Sequence, residues 1–259
     1  MIRIVLVGAA GRMGRAVDAA AAGTADLGIA ARVDVRANFP AGGGVWTEDA
    51  ASALGRGDVV VDFSTPRGAR EAAAACAEKG AAMVTGTTGM TAEDTAALQA
   101  AALRVPVLQA SNFSLGVAAL RVALRATLAA LPPDWDVEIV ERHHRHKKDS
   151  PSGTALLLAG DVRQARSLPE TALRYGREGM VGQRPPGEVG VHSVRGGSWV
   201  GDHQVLLAAE GEWMELRHVA QDRAAFARGA LAAVRFVATA GAGWYTIDDV
   251  LRAPGRAAR

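Results

Sequence analysis

The segment from Glu141 to Thr154 carries the side chains best suited to exchange protons. It reads E-R-H-H-R-H-K-K-D-S-P-S-G-T and holds three of the six histidines and two of the three lysines of the chain. Elsewhere positive charge is carried almost wholly by arginine, which stays protonated, whereas histidine and lysine can give up a proton. The segment therefore indicates acid–base chemistry. A solvated basic loop is the plain structural alternative.

The end of the same segment predicts the start of a helix. Ser150 to Thr154 reads S-P-S-G-T and precedes an apolar run from Ala155 to Ala159, an order typical of a helix N-terminus. Backbone N–H groups in a first helical turn can hold an anion. We expect Ser152 to cap the helix in preference to touching a ligand. Proton donors beside such a helix start predict an active site.

The chain begins with a pattern typical of dinucleotide binding. An apolar strand, Ile2–Val7, leads into the glycine turn Gly8–Gly14 and a helix-compatible stretch. This arrangement lets backbone N–H groups approach a pyrophosphate. A second strand, Ile29–Val33, ends in Asp34, where a carboxylate can accept hydrogen bonds from the adenosine ribose. The spacing G-x-x-G-x-x-G is not the strict fingerprint, so an ordinary strand–turn–helix unit is the alternative.

Composition narrows the class of protein. The 259 residues suffice for one large domain or two moderate ones. Lysine and arginine exceed the acids by only 29 − 27 = 2, which does not indicate a nucleic-acid surface. Cys76 is the single cysteine, so no internal disulfide forms. No apolar run reaches membrane-spanning length. We expect a cytoplasmic protein that binds neither nucleic acid nor membrane.

Strands and helices alternate through the first half of the chain. Apolar runs that end at Phe63, Thr85 and Ala110 are each followed by turn residues and a helical stretch. This alternation predicts a parallel α/β sheet that binds its ligand at the carboxyl ends of the strands. The loops expected at that edge are Gly8–Gly14, Asp34–Arg36, Gly86–Thr88 and Ser111–Phe113.

The second half predicts a different architecture. A helix at Leu115–Leu131 and a half-exposed strand at Asp136–Glu141 precede several short strands between Glu188 and Val219. The basic stretch Arg174–Arg184 is a mobile loop or an inert surface loop, and a helix at Arg223–Ala238 precedes a tail. We expect an α/β fold with a Rossmann-type, doubly wound parallel sheet and a second α+β domain carrying a mixed or antiparallel sheet. Residues 1–113 and 222–259 form the predicted dinucleotide-binding domain, and residues 114–221 the substrate-binding and oligomerisation domain.

Several motifs together resemble one family over nearly the whole chain. These are V-G-A-A-G-R-M-G at Val7–Gly14, V-D-F-S at Val61–Ser64, G-T-T-G at Gly86–Gly89, N-F-S at Asn112–Ser114, E-R-H-H-R-H-K-K-D-S-P-S-G-T-A at Glu141–Ala155, R-E-G at Arg177–Gly179 and V-G-D-H at Val200–His203. With them the chain resembles the 4-hydroxy-tetrahydrodipicolinate reductases, also called dihydrodipicolinate reductases. These enzymes belong to the diaminopimelate route to lysine.

The resemblance implies NADH or NADPH as cofactor, a small cyclic dicarboxylate as substrate, and a homotetramer joined through the second sheet. It implies His143 and Lys147 as catalytic residues. The implied substrate contacts are His144, Gly153 and Thr154. The implied cofactor contacts are Gly8, Ala9, Ala10, Gly11, Arg12, Met13, Asp34, Gly86, Thr87, Thr88, Ala110, Ser111, Asn112 and Phe113.

One departure from the family concerns the cofactor. Familiar members carry an acid followed directly by arginine, whereas this chain reads Asp34-Val35-Arg36. Three rival interpretations remain open. The clustered histidines could bind a transition metal, although adjacent side chains on a strand point apart, and we expect no metal. The chain could be a nucleotide sensor without catalysis, or another NAD(P)-dependent imine or amino-acid dehydrogenase.

Overall fold

The computed structural model describes residues 1–40 and 43–253. Within them lie twelve strands, eight α-helices and two short 3-10 turns at Arg36–Asn38 and Glu170–Ala172. The strands are β1 (Ile2–Val7), β2 (Leu27–Val33), β3 (Trp46–Thr47), β4 (Val59–Asp62), β5 (Ala82–Thr85), β6 (Pro106–Gln109), β7 (Asp136–His143), β8 (Leu173–Tyr175), β9 (Val189–Arg195), β10 (Gly201–Ala209), β11 (Glu212–Ala220) and β12 (Gly243–Tyr245). The helices are α1 (Arg12–Ala22), α2 (Ala50–Ala53), α3 (Pro66–Lys79), α4 (Ala92–Ala102), α5 (Leu115–Ala130), α6 (Gly153–Arg166), α7 (Ala224–Val237) and α8 (Ile247–Arg252). In this described part of the chain, no helix has the length and hydropathy needed to cross a membrane.

The chain divides into two compact units, each built on its own sheet. The first unit comprises Met1–Leu115 and the residues from Arg223 onward; the second comprises Gly116–Asp222. In the first unit the strand order is β12-β6-β5-β4-β1-β2-β3, and every neighbouring pair is parallel. The strand order reverses beside β1, the position at which Rossmann-type folds bind dinucleotides. The predicted doubly wound parallel sheet is confirmed.

Apolar strands explain why helices pack against this first sheet. Val59, Val60 and Val61 of β4 are all fully buried, as expected for a strand covered on both faces. Helices α2, α3 and α4 present small alanine side chains to the strands, and α1 packs beside α7. Because the strands are parallel, the loops after β1, β2, β5 and β6 lie at one edge of the sheet. The predicted position of these four loops is confirmed.

The second unit is a mixed sheet covered by two helices. Its order is β11-β10-β7-β9-β8, with β7, β8 and β9 parallel and β10 antiparallel to both of its neighbours. Strand β7 alternates half-buried and buried residues, as its sequence predicts. The buried side packs against Leu120, Leu124 and Leu128 of α5 and against Leu158 and Val162 of α6. The predicted second domain with a mixed sheet is confirmed.

Helix starts follow the capping chemistry expected from the sequence. Thr65 accepts a hydrogen bond from Gly68 N at the start of α3, and Thr91 and Asp94 form a reciprocal capping box at the start of α4. Ser152 Oγ accepts from Ala155 N at 3.1 Å at the start of α6. Each such cap is worth about 1 kcal/mol. The expectation that Ser152 caps a helix is confirmed.

Some expectations for the second half were wrong. The expected tail at Trp244–Leu251 contains β12, which pairs with β6, and the short helix α8. Arg174 and Tyr175, expected in a mobile or inert surface loop, belong to β8, and Arg177 forms ion pairs with Glu138 and Glu188. Strands β8 and β12 escaped prediction for the same reason. A strand of three residues is too short to show an alternating sequence pattern, and it is defined by the strand with which it pairs.

Candidate active site

The turn between β1 and α1 requires glycine because backbone segments approach closely there. Gly8 has φ of +75°, and a Cβ added to it would lie 2.4 Å from the carbonyl oxygen of Phe63. A Cβ on Gly14 would lie 2.3 Å from the carbonyl oxygen of Gly8. The N-cap residue of α1 is Gly11, which has no side chain to occupy the N–H groups of the first turn. This geometry fits a pyrophosphate at the start of α1.

A cavity of about 750 Å³ opens beside this turn. Of the predicted cofactor residues, its walls include Gly8, Ala10, Gly11 and Asp34. Other residues that line it were not predicted. They include Arg15, Asn38, Glu48, Phe63, Ser64, Thr65 and Arg67. The cavity and the glycine turn fit the adenosine and pyrophosphate part of a nicotinamide dinucleotide.

Asp34 is held in a fixed orientation at the end of β2. Its Oδ2 accepts from Ala10 N at 2.9 Å, and its Oδ1 accepts from Asn38 Nδ2 at 2.7 Å and from Val35 N at 2.9 Å. A carboxylate has about four acceptor positions, so this one can still accept from a ribose hydroxyl. Val35 is 60% exposed, and the backbone N–H of Arg36 donates to Glu48 at 3.1 Å. The carboxylates of Asp34 and Glu48 therefore both line this cavity.

A buried carboxylate, Asp62, fixes the loop after β5. It accepts hydrogen bonds from Thr85 Oγ1 at 2.6 Å, Thr87 Oγ1 at 2.7 Å and Ser64 Oγ at 2.5 Å. Burial raises the pKa of Asp62, and these hydrogen bonds act in the opposite direction. The side chain of Thr87 is thereby occupied. The Gly86–Thr88 loop offers its backbone to a ligand more readily than the Thr87 hydroxyl.

The loop after β6 is anchored by aromatic packing. Phe113 is almost fully buried, and its ring meets Phe63 edge-on at 5.4 Å. A Cβ on Gly86 would lie 2.2 Å from the ring of Phe63 and 2.9 Å from the ring of Phe113, so a larger residue there would displace this aromatic pair. Asn112 Oδ1 accepts from Ser114 N at 2.8 Å and shapes the turn. The packing of Phe113 against Phe63 therefore holds the loop after β6 against the sheet.

The most enclosed polar group of the second unit is Glu141, next to the predicted catalytic histidine. Its side chain is fully buried, and Oε2 lies 2.5 Å from Nδ1 of His143. Arg195 donates to both carboxylate oxygens at 2.8 Å. Burial disfavours the charge, yet hydrogen bonds from His143 and Arg195 outweigh it and hold the pKa of Glu141 below its usual range. Glu141 is therefore an ionised carboxylate that holds the histidine ring.

Lys147 follows shortly after the end of β7 and forms an ion pair with Asp149. Its Nζ lies 2.8 Å from both carboxylate oxygens of Asp149, and this hydrogen bond is the main cause that lowers the pKa of Asp149. The side chain of Asp149 is 61% exposed, whereas that of Lys147 is 20% exposed. Because Asp149 is largely in contact with solvent, water screens this ion pair. An anionic ligand can therefore compete with Asp149 for the ammonium group.

The three clustered histidines make different contacts. The ring of His143 meets that of His203 edge-on, with the ring centroids 5.1 Å apart. The ring centroids of His144 and His146 lie 6.2 Å apart. The backbone of His144 is tied by its N–H to Trp199 O at 2.8 Å. In residues 1–40 and 43–253, no three His, Cys, Asp or Glu side chains are arranged to hold a metal ion.

The start of α6 lies against the same network. Ser152 N donates to Glu141 Oε1 at 3.0 Å, and Ser152 Oγ lies 3.0 Å from Nε2 of His203. Burial lowers the pKa of His203 to about 4, so its ring is neutral near pH 7. A Cβ on Gly153 would meet no atom within 4 Å, which leaves open space beside the first turn. The second unit thus joins His143 to the helix start that carries Gly153 and Thr154.

Family models match both units of the chain. Residues 2–113 match the model described as dihydrodipicolinate reductase, N-terminus, and residues 116–251 match that described as dihydrodipicolinate reductase, C-terminus. The chain belongs to the dihydrodipicolinate reductase family. The resemblance expected from the motifs is confirmed, and the chain is an NAD(P)H-dependent oxidoreductase.

Individual relatives of the dihydrodipicolinate reductase family align over nearly their full length. A 4-hydroxy-tetrahydrodipicolinate reductase from Thermomicrobium roseum is 44% identical, with 97% of this chain and 100% of the relative covered. One from Anaeromyxobacter sp. (strain Fw109-5) is 42% identical, with 97% and 98% covered. A solved structure, the dipicolinate-bound dihydrodipicolinate reductase from Paenisporosarcina sp. TG-14, superposes with a TM-score of 0.77 at 26% identity. That superposition covers 95% of this chain and 97% of the solved one.

Sequence reasoning missed the groups that hold the predicted site residues of this chain. Asp62, Glu141, Arg195 and His203 all lie inside motifs or strands that were recognised, but no role was predicted for them. A signal for Glu141 was present. In a strand with a period of two, it falls on the same face as Val137 and Ile139, which are both fully buried.

Proposed function

We propose that this chain reduces 4-hydroxy-tetrahydrodipicolinate, or the dihydrodipicolinate derived from it, to tetrahydrodipicolinate in the diaminopimelate route to lysine. The observation that carries the proposal is the buried Glu141–His143 pair of β7, which Ser152 links to the start of α6, in a chain that matches the family models over both units. The substrate is a small dicarboxylate with a conjugated C=N bond. Its reduction needs a hydride and a proton.

The first unit binds the cofactor in this proposal. NADH or NADPH supplies the hydride when bound. The glycine turn Gly8–Met13 holds the pyrophosphate, and Asp34 accepts from the adenosine ribose. Gly86–Thr88 and Ala110–Phe113 approach the nicotinamide ribose and ring with their backbone. The support is the cavity beside Gly8, Gly11 and Asp34 and the two loops at the same sheet edge.

The second unit supplies the proton and holds the substrate. His143 or Lys147 protonates the electron-rich product of hydride addition, and Lys147 also offsets its negative charge. The carboxylates of the substrate bind His144, the hydroxyl of Thr154, and the N–H groups of Gly153 and Thr154. Open space beside Gly153 and the easily displaced Lys147–Asp149 pair support this assignment.

We further propose a cytoplasmic homotetramer joined through the uncovered face of the mixed sheet. Val189, Val191, Val205 and Leu207 lie on the other face of this sheet, where α5 and α6 bury them. The opposite face instead carries exposed apolar side chains on β9 and β11. They are Val194, Trp213 and Val219, which are 38%, 65% and 52% exposed.

Matched substitutions test the proposed roles. His143→Ala and Lys147→Ala are expected to lower kcat by about 10² to 10⁴ and to leave the Kd for NADH within about threefold, because neither residue belongs to the cofactor-binding unit. The controls are His146→Ala and Lys148→Ala, which remove the same kinds of side chain from exposed positions. Near-normal kcat in either test variant would show that its assigned role is wrong.

A further inference from the structure

A single buried carboxylate connects the proton donor to the substrate-binding helix start. Glu141 accepts hydrogen bonds from His143 Nδ1, from Arg195 and from the backbone N–H of Ser152. A fully buried carboxylate is costly unless it is paired and hydrogen-bonded. Each of these donors lies on a different part of the fold. Glu141 therefore fixes several segments relative to one another.

The first of these contacts determines which nitrogen of His143 can react. A carboxylate accepts but does not donate, so Nδ1 must carry the proton that lies between the two groups. The neutral ring then presents Nε2 as its unprotonated nitrogen. Nε2 faces Gly201, where an added Cβ would lie 3.3 Å away. The charged ring delivers its proton from Nε2 while Glu141 retains Nδ1–H.

The second contact fixes the helix start. Ser152 N donates to Glu141 Oε1 at 3.0 Å, and Gly153 is the first residue of α6. Arg195 reinforces this contact, because its NH2 group also donates to the carbonyl oxygen of Asp149 at 2.7 Å. Arg195 lies on β9, directly opposite His143 in the parallel register. The turn from Asp149 to Ser152 is thus held from both sides.

We propose that Glu141, held by Arg195, is a positioning residue that sets the reactive tautomer of His143 and the start of α6 together. The proposal rests on the proposed function, since it gives His143 and the α6 start their roles. The groups around the His143 ring come from three strands: Glu141 on β7, Arg195 on β9 and His203 on β10. An ion pair that served stability alone would not control the tautomer.

The test variant is Glu141→Gln, which keeps the shape and removes the charge. Removing the charge of a carboxylate that sets the tautomer of an acid–base histidine can cost up to about 10⁴-fold in kcat, and we expect a loss of kcat of at least about tenfold. The Kd for NADH is expected to stay within about threefold. The kcat/KM pH profile is expected to change, because the variant removes a buried negative charge from the network that holds the proton donor. Arg195→Lys keeps the positive charge and is expected to retain more kcat than Glu141→Gln.

A matched control separates positioning from stability. Asp202 is a second buried carboxylate of the mixed sheet, and it is paired with Arg142 and Arg217 on β7 and β11. Asp202→Asn is expected to lower the unfolding temperature without changing the pH profile. If Glu141→Gln loses stability as this control does and keeps both kcat and the pH profile, the positioning role is overturned.

Nitrogen NMR tests the tautomer without any turnover. In protein with ¹⁵N-labelled histidine, the His143 signals are assigned by their loss in His143→Ala. At a pH where the ring is neutral, Nδ1 is expected to be protonated in the wild type and less so in Glu141→Gln. An Nε2-protonated ring in the wild type would overturn the proposal. An inactive wild type that shows the expected tautomer would instead contradict the proposed function alone.

Discussion

The residue after Asp34 offers a direct test of how the chain distinguishes its two cofactors. Asp34 is held by Ala10, Asn38 and the Val35 N–H, and the nearby Glu48 accepts from Arg36 N. Both carboxylates repel a 2′-phosphate, while the Arg36 side chain can attract it. We therefore expect the wild type to use NADH at least as well as NADPH.

Substitution Val35→Arg adds a cation to the same cavity wall. Val35 is 60% exposed, so the new charge acts through a largely aqueous medium. Two unit charges at about 4 Å interact by about 1 kcal/mol in water and about 4 kcal/mol near a protein surface. The lower part of this range, about 1.4 kcal/mol, corresponds to tenfold. We expect Val35→Arg to shift the ratio of kcat/KM values about tenfold or more towards NADPH.

The assay measures initial rates of NADH and NADPH oxidation, and fluorescence titration gives Kd for both cofactors. Val35→Gln is the control, because it lengthens the side chain without adding charge and is expected to shift the ratio less than threefold. A wild type that prefers NADPH by more than about tenfold, roughly 1.4 kcal/mol, would refute the interpretation of Asp34. If the ratio of kcat/KM values for the two cofactors is unchanged in Val35→Arg, the 2′-phosphate does not bind near residue 35.

Three further predictions concern assembly and stability. Light scattering at micromolar concentration is expected to give a tetramer for the wild type and a smaller species for Trp213→Asp; a monomeric wild type contradicts the assembly. Burial lowers the pKa of His203 to about 4. The free energy of unfolding is therefore unaffected by this group above about pH 6.5, and it decreases as the pH falls from there towards 4, by about 3 kcal/mol at most. In denaturant unfolding at several pH values, the free energy of unfolding of His203→Gln is expected to change less with pH than that of the wild type. An equal change in both proteins would contradict this. Ser152→Ala should cost about 1 kcal/mol of unfolding free energy, against little change for the exposed Ser150→Ala.

The parts of the fold that could be predicted are those fixed by neighbouring residues. The run from Ile2 to Val7 followed by Gly8 predicted a strand and a turn, because glycine is required where φ is +75°. Ser152 predicted a helix start, and Thr65 and Thr91 cap α3 and α4 in the same way, because each hydroxyl accepts from an N–H group three residues away.

What escaped prediction depends on pairing between distant residues. Glu141 and Arg195 are 54 positions apart and meet only because β7 and β9 pair in parallel. Strand β12 is three residues long and is defined by its contact with β6. Residue types identified the segment Glu141–Thr154 as a candidate site, and the resemblance to the family singled out His143 and Lys147 within it. The groups that orient them follow from the register of the sheet.

The reduction itself tests the central claim most directly. The substrate is freshly generated in the cuvette, and the loss of NADH absorbance is followed after enzyme is added. We expect NADH oxidation in proportion to substrate, and a far slower reaction with 2-oxo acids and ammonia, the substrates expected for an amino-acid dehydrogenase. No oxidation above background with the dihydrodipicolinate-type substrate would contradict the proposed function.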